Sequence, residues 1–74
     1  MTLQEHVIAI VASESDTPME KLTPESKFSD LKMDSLDFVA MMLAIESEIR
    51  KVPEVRWTKL QTVGDVIDEL QVTQ

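Results

Sequence analysis

Residues 34–51 read DSLDFVAMMLAIESEIRK, and this stretch predicts the central helix of the molecule over 35–51. Apolar side chains occupy every position of 38–45. Acidic residues stand at the start of the stretch and two basic residues at its end, an order that the helix dipole favours. Pro53 ends the helix. Because apolar side chains occur on more than one side, the helix should be largely buried or should expose one apolar face for binding.

A first helix is predicted over residues 3–15, where apolar side chains recur at helical spacing. Thr2 and Glu5 have the spacing of a capping box at its start. Proline at position 18 restricts the residue before it, so the helix should end near 15–18. The apolar positions are Leu3, Val7, Ile8, Ile10 and Val11.

A long connection over 16–34 separates the two helices. Connections of this length are uncommon in a compact domain unless they are functional or disordered. Isolated apolar residues along it predict an ordered loop that packs over the core, with one short helical turn after Pro24. These expected anchors are Met19, Leu22, Phe28 and Leu31.

The last third of the chain predicts a short irregular or helical segment over 54–60 and a final helix from Thr62 to Leu70. Thr62 is a capping residue, whereas Gly64 in the first turn lowers helix propensity. We find no period-2 alternation, hairpin turn or repeat. The predicted fold is an all-α, four-helix bundle with three main helices, one short helix and a long first loop.

Length and charge limit the classes of function. The 74 residues predict one domain over 1–74, and the net charge of −7 argues against nucleic acid as a partner. The absence of cysteine excludes disulfides and thiolate chemistry from the chain itself. No apolar run would span a bilayer and the amino terminus does not resemble a signal peptide, so we expect a cytosolic monomer without membrane insertion.

The motif Asp34-Ser35-Leu36-Asp37 at the start of the central helix has two interpretations. As plain structure, Asp34 with Asp37, or Ser35 itself, would cap the helix. As a site, Ser35 would hold a phosphate at a helix N-terminus, where backbone N–H groups favour an anion. The flanking carboxylates would repel that phosphate and direct an attached arm toward solvent.

Catalytic and metal-binding residues are not predicted. A serine nucleophile needs a neighbouring base, and the only histidine, His6, lies on the first helix, where we expect it to be solvated. The chain has no histidine pair, and 30–37 lacks the ligand spacing and the glycine of a calcium loop. A single glycine also excludes a glycine-rich phosphate loop.

With Phe28-Ser29-Asp30-Leu31 before it and the run 43–46 after it, the Asp-Ser-Leu motif resembles that of the acyl carrier proteins. The likeness covers nearly the whole chain. It implies that Ser35 carries 4'-phosphopantetheine, transferred from coenzyme A, whose terminal thiol holds acyl groups as thioesters. It also implies a carrier without catalytic activity, which serves fatty-acid, polyketide or related lipid synthesis.

The resemblance also implies the partners and the residues that meet them. The arm would be added by a phosphopantetheinyl transferase, and cargo would be loaded and processed by enzymes of the acyltransferase, ligase and ketosynthase types. By position in the motif, the transferase would contact Asp34, Leu36 and Asp37. Recognition along the helix would extend to Val39, Leu43 and Glu46. Methionine side chains could line a pocket for variable cargo, although we interpret the pair at 41–42 as core.

The sequence departs from the family pattern in ways that suggest a specialised member. Lys32-Met33 stands where many fatty-acid carriers have Gly-Ala, and Ala40 stands where they often have glutamate. Residues 50–59 hold four basic side chains against one acidic side chain in an otherwise acidic protein. We therefore predict that Arg56 and Trp57 take part in recognition of a dedicated partner. Charge reversal at Arg56 and Lys59 should weaken that binding and leave modification of Ser35 intact.

Two alternatives stay open from the sequence. The first is a peptidyl, aryl or aminoacyl carrier, which is less favoured because such carriers more often lack an acid at the position of Asp37. The second is an unmodified helical interaction module in which Asp34 and Ser35 are only caps.

Overall fold

The computed structural model describes residues 2–71, which form three α-helices and three 3-10 helices. The main helices are α1 (Leu3–Ser15), α2 (Ser35–Glu48) and α3 (Val63–Gln71). One 3-10 helix, Glu54–Lys59, joins α2 to α3, and two shorter ones lie between α1 and α2. The only β-type contact in the described part is an isolated bridge between Lys27 and Thr62. The predicted all-α bundle with three main helices and one short helix is confirmed.

The single domain over 1–74 stays a prediction, and its first residue and last three residues lie outside the described range. Within 2–71, no helix is both long enough and apolar enough to cross a membrane.

The start and end of α1 follow the local sequence signals. The Thr2 hydroxyl accepts the Glu5 backbone N–H at 3.1 Å, and the Glu5 carboxylate accepts the Thr2 N–H at 2.9 Å. This reciprocal pair is the predicted capping box. The helix ends at Ser15, and its C-cap Asp16 adopts a left-handed conformation with φ of 57°.

A single core lies between the three main helices. Two successive turns of α1 contribute three fully or nearly fully buried side chains, and α2 contributes both central methionines. The interpretation of Met41 and Met42 as core is therefore correct. The buried set is Val7, Ile10, Val11, Leu22, Phe28, Met41, Met42, Ile45, Val52, Leu60, Val63, Val66, Ile67 and Leu70.

The long connection is ordered and contains two short 3-10 helices, Met19–Lys21 and Phe28–Leu31. The second is the helical turn expected after Pro24, whereas the first was not predicted. Of the four expected anchors, Leu22 and Phe28 are buried and Leu31 packs partly against the core. Met19 was wrongly predicted as an anchor because its turn faces solvent, which leaves the side chain 46% exposed.

Backbone hydrogen bonds fasten this connection to the start of α3. The N–H of Phe28 donates to the carbonyl of Gln61 at 3.0 Å, and the N–H of Val63 donates to the carbonyl of Ser26 at 3.0 Å. Thr62 and Asp65 form a capping box at the beginning of α3, which confirms Thr62 as a capping residue. The connection is thereby fixed against the first turn of α3.

The central helix ends at Glu48, three residues before the predicted end at 51. Beyond it, the chain turns so that Val52 enters the core and Arg50 reaches the last turn of α3. The Arg50 guanidinium donates to the carbonyl oxygens of Glu69 and Leu70 at 2.9 and 3.0 Å. If α2 continued to residue 51, the helical twist would turn Arg50 away from the end of α3 and Val52 away from the core.

His6 is not simply solvated, as the sequence suggested. Its Nε2 lies 2.8 Å from Oε1 of Glu48, so it joins α1 to the last turn of α2. The pairing depends on the antiparallel approach of the two helices, which sequence spacing did not reveal.

Candidate functional site

Ser35 is the first residue of α2 and is exposed to solvent. Asp34 precedes it as the N-cap, and its Oδ1 accepts the Asp37 backbone N–H at 2.9 Å. The Asp37 carboxylate in turn accepts the Asp34 N–H at 3.4 Å. Both acids therefore form the capping box, and no hydrogen bond within residues 2–71 involves the Ser35 hydroxyl. This hydroxyl is free for chemical attachment.

The backbone around Ser35 fits a phosphate group. Within the described range, the N–H groups of Ser35 and Leu36 donate no hydrogen bond, whereas those of Asp37 and Phe38 bond to Asp34. Free N–H groups at the positive end of a helix stabilise an anion. The two capping carboxylates add negative charge beside that position. These opposing effects would hold a phosphodiester on Ser35 at the helix end with its arm directed away from the acids.

An apolar cleft opens beside Ser35, between the start of α2 and the 3-10 helix Glu54–Lys59. Its volume is about 460 Å³, and we call it the Ser35 cleft. Three aromatic side chains form a ladder in its wall: the Phe28 and Phe38 rings lie 5.6 Å apart and the Phe38 and Trp57 rings 6.2 Å apart, both edge to face. The lining residues are Phe28, Ser29, Met33, Asp34, Ser35, Phe38, Val39, Trp57, Thr58 and Leu60.

Sequence reasoning missed part of this cleft. Met33 and Leu60 come from segments that are 27 residues apart in the chain, and neither was predicted to line a pocket. Leu60 follows the short helix without any periodic signal, and it reaches the cleft because the 60–62 segment pairs with the long connection. Only the aromatic character of Phe28 and Phe38 would have hinted at a shared apolar wall.

The outer face of α2 carries the other predicted recognition residues. Leu36, Val39 and Leu43 are 77%, 38% and 54% exposed, and Glu46 is also exposed. Since these positions are three or four residues apart, they form one strip along the helix. The sequence left open whether the helix is buried or presents an apolar face, and the structure shows that it does both.

The basic segment 50–59 is partly engaged inside the molecule. Arg50 binds the carbonyls at the end of α3, and Arg56 forms an ion pair with Glu69 at 3.4 Å. Lys51 and Lys59 are exposed, and neither forms an ion pair in the part of the chain described. Trp57 is half-buried, with its indole N–H donating to the Val52 carbonyl at 2.9 Å.

The arrangement places an exposed hydroxyl beside an apolar cleft that is open to solvent. The described residues contain no group of three or more metal-ligating side chains, and the only histidine pairs with Glu48. The Ser35 hydroxyl faces no imidazole that could activate it, so these side chains suit a covalent carrier better than a nucleophilic enzyme.

Comparison with known proteins agrees with this geometry. The model of the family described as "Phosphopantetheine attachment site" matches residues 5–70. An acyl carrier protein of Thermosynechococcus vestitus is 44% identical over 66 residues, covering 86% of this chain and 82% of that protein. Acyl carrier proteins of Rickettsia canadensis and Rickettsia rickettsii are each 39% identical over 74 residues, covering 97% of this chain and 86% of theirs.

The family match covers most of the chain and includes the whole of α2 and the Ser35 cleft. It supports 4'-phosphopantetheine as the cofactor and acyl-processing enzymes as the class of partner. The comparisons favour neither of the two alternatives, the peptidyl-type carrier and the unmodified interaction module. This chain belongs to the acyl carrier protein family, whose members carry acyl intermediates on phosphopantetheine and are not themselves enzymes.

Proposed function

We propose that this protein carries acyl groups on a 4'-phosphopantetheine arm joined to the hydroxyl of Ser35. The observation that supports this most directly is the exposed Ser35 hydroxyl, which has no hydrogen-bond partner in 2–71 and lies beside an apolar cleft. The free N–H groups of Ser35 and Leu36 would stabilise the phosphate. When bound, the arm supplies the thiol on which an acyl group is held as a thioester.

The first experiment tests the attachment point. The protein is incubated with coenzyme A, magnesium and a broad-specificity phosphopantetheinyl transferase, and its intact mass is measured. We expect the increment of one phosphopantetheine group in the native chain and none in Ser35→Ala. Ser29 lines the same cleft and is also exposed, so Ser29→Ala is the matched control and should still be modified.

Modification of Ser35→Ala, or loss of modification in Ser29→Ala alone, would refute the assignment of Ser35. A well-folded native chain that gains no mass, while another acyl carrier does so in the same reaction, would be retested with a cognate transferase. Failure with both transferases would contradict the carrier function.

We further propose that partner enzymes contact the exposed strip of α2 formed by Leu36, Val39, Leu43 and Glu46. These side chains are exposed although three of the four are apolar, and they begin one residue after Ser35. We propose that these partners are enzymes of the acyltransferase, ligase and ketosynthase types. They would serve fatty-acid, polyketide or related lipid synthesis. A monomeric state and a cytosolic location stay predictions from the sequence.

The proposed contribution of the basic segment to a dedicated partner is best tested at its lysines. Arg56 binds Glu69, so reversing its charge would place two carboxylates together and disturb α3 as well as the surface. Lys51 and Lys59 have no such role in the described structure. Lys51→Glu with Lys59→Glu should weaken binding to an acidic partner face and leave the mass increment on Ser35 unchanged. Unchanged binding would show that the segment is only surface.

A further inference from the structure

We propose that Trp57 limits the length of the acyl chain that can shelter in the Ser35 cleft. This inference rests on the proposed attachment of the arm to Ser35, and it concerns which cargo the carrier protects. It assigns a role in cargo selection to a side chain that the sequence had associated only with partner recognition.

A second cleft of about 470 Å³ is also lined by Trp57. Among residues 2–71, Trp57 alone lines both clefts. Val39 lines the first, and Leu43, one turn further along the same strip of α2, lines the second. Because they share Trp57 and are lined from successive turns of α2, the two clefts are neighbours that meet at the indole ring. The second cleft is lined by Leu43, Glu46, Lys51, Pro53, Glu54 and Trp57.

Two contacts hold the indole ring in place. Its N–H donates to the carbonyl oxygen of Val52 at 2.9 Å, and Val52 is itself buried in the core. The indole also contacts the Phe38 ring edge to face, with ring centroids 6.2 Å apart and an interplanar angle of 75°. The hydrogen bond and the edge-to-face contact both stabilise the indole in this position, where it can act as the end wall of the Ser35 cleft.

The two clefts differ in the character of their walls. The Ser35 cleft is lined mainly by apolar side chains, among them Phe28, Phe38 and Leu60. The second cleft includes two carboxylates and one ammonium group, and its apolar contribution besides Trp57 comes from Leu43 and Pro53. A methylene chain gains free energy by leaving water for the first cleft, and that gain stops where the chain meets the indole.

The expected effect is a break in chain-length dependence. Each methylene group that becomes buried should multiply the equilibrium constant for shelter by about four. The thioester of a sheltered chain reacts more slowly with an external nucleophile because it spends less time in solvent. Protection should therefore rise with each added methylene until the chain reaches Trp57, and should then level off.

The experiment uses the full chain with its arm, loaded with saturated acyl groups that increase in length by two carbons at a time. Intact mass first establishes that every sample carries one acylated arm. The rate of thioester cleavage by hydroxylamine is then measured for the native chain, Trp57→Ala and Trp57→Phe. Circular dichroism establishes that each variant is folded, and Trp57→Leu replaces Trp57→Ala if the latter unfolds.

We expect the native chain and Trp57→Phe to level off at the same chain length, because both keep an aromatic wall. Trp57→Ala, or Trp57→Leu, should level off at a longer chain, because Leu43 and Pro53 then become accessible from the Ser35 cleft. If protection in Trp57→Ala (or Trp57→Leu) levels off at the same chain length as in the native chain, the proposal is overturned. Cleavage rates in the native chain that do not depend on acyl-chain length would also overturn it.

A second readout needs no substitution. Trp57 is the only tryptophan in the chain, so its fluorescence reports directly on this wall. Emission should change progressively as the acyl chain lengthens and should become constant beyond the same break. Emission that is the same for short and long chains would contradict the proposal. Absence of the phosphopantetheine mass increment would instead count against the carrier function, so the two failures are distinguishable.

Discussion

The backbone N–H of Gly64 donates to the carbonyl oxygen of Pro24 at 2.7 Å, which holds the long connection against the first turn of α3. A β-carbon built on Gly64 would lie 2.8 Å from that same oxygen, closer than carbon and oxygen atoms normally approach. The single glycine of the chain is therefore required for close packing, although it weakens the helix in which it lies.

Gly64→Ala should accordingly destabilise the protein. Overpacking against backbone costs about 1–3 kcal/mol, whereas alanine recovers up to about 1 kcal/mol of helix propensity. We expect a net loss of roughly 1–2 kcal/mol in the free energy of unfolding, measured by urea denaturation. Asp68→Ala, an exposed change in the same helix, is the control and should stay within about 0.5 kcal/mol. A Gly64→Ala variant as stable as that control would show that the backbone at Pro24 moves away at no cost.

Arg50 is predicted to be a stability residue rather than a recognition residue. Its guanidinium is half-buried and donates to the carbonyl oxygens of Glu69 and Leu70 in the last described turn of α3. Arg50→Met should lose about 1.5–3 kcal/mol, the usual contribution of hydrogen bonds to a charged group. At this chain length, the melting temperature should fall by about 4–8 °C for each kcal/mol.

The control for Arg50 is its neighbour Lys51. Lys51→Met changes the same net charge at an exposed position and should shift stability by no more than about 0.5 kcal/mol. Equal melting temperatures for the two variants would mean that the carbonyl contacts of Arg50 contribute nothing beyond water.

Asp34 combines a structural role with a proposed recognition role, and two substitutions separate them. Asparagine caps helices about as well as aspartate, so Asp34→Asn should keep stability within a few tenths of a kcal/mol. Asp34→Ala should lose about 1 kcal/mol because the Asp37 N–H loses its acceptor. If the carboxylate also guides the transferase, both variants should slow phosphopantetheine transfer, as measured by the time course of intact mass.

The outcomes for Asp34 are clearly different. Slow transfer in Asp34→Ala with normal transfer in Asp34→Asn would mean that only the cap matters, and the recognition role would be withdrawn. Slow transfer in a variant with normal unfolding free energy would assign the charge to partner contact.

Lys32 lies two residues before the cap in a left-handed conformation, with φ of 59°. An L-residue in this region is strained by roughly 1–2 kcal/mol, whereas glycine is not. Glycine also gains about 0.4–1 kcal/mol of freedom in the unfolded chain, which offsets part of the benefit. Lys32→Gly should therefore raise the free energy of unfolding by up to about 1 kcal/mol in urea denaturation.

Lys32→Ala is the matched control, because it removes the same side chain without relieving the backbone. It should not be more stable than the native protein. If the glycine and alanine variants are equally stable, the change in stability comes from loss of the lysine side chain and not from relief of backbone strain. This left-handed backbone is one that favours glycine, the residue that the family resemblance implies at this position.

Much of this fold could be read locally. The capping boxes at Thr2–Glu5 and Thr62–Asp65 need only residues three apart, and the apolar spacing of 3–15 depends only on the pitch of a helix. The motif at 34–37 likewise supplies its own cap and leaves Ser35 exposed at the helix end. These features were predictable because their interactions are completed within one or two turns of the chain.

The tertiary structure decided what depends on segments far apart in the sequence. It divided the apolar residues of 38–45 between the core, the Ser35 cleft and an exposed strip, since a helix has only as many buried sides as it has neighbours. It engaged Arg50, Arg56 and His6 with partners 13 to 42 residues away, where charge counting had suggested free surface. The sequence by itself determined the helices and the attachment serine as a candidate. The Ser35 cleft arises only when the long connection, α2 and the 57–60 segment pack together, because its lining atoms meet through long-range packing that no local pattern encodes.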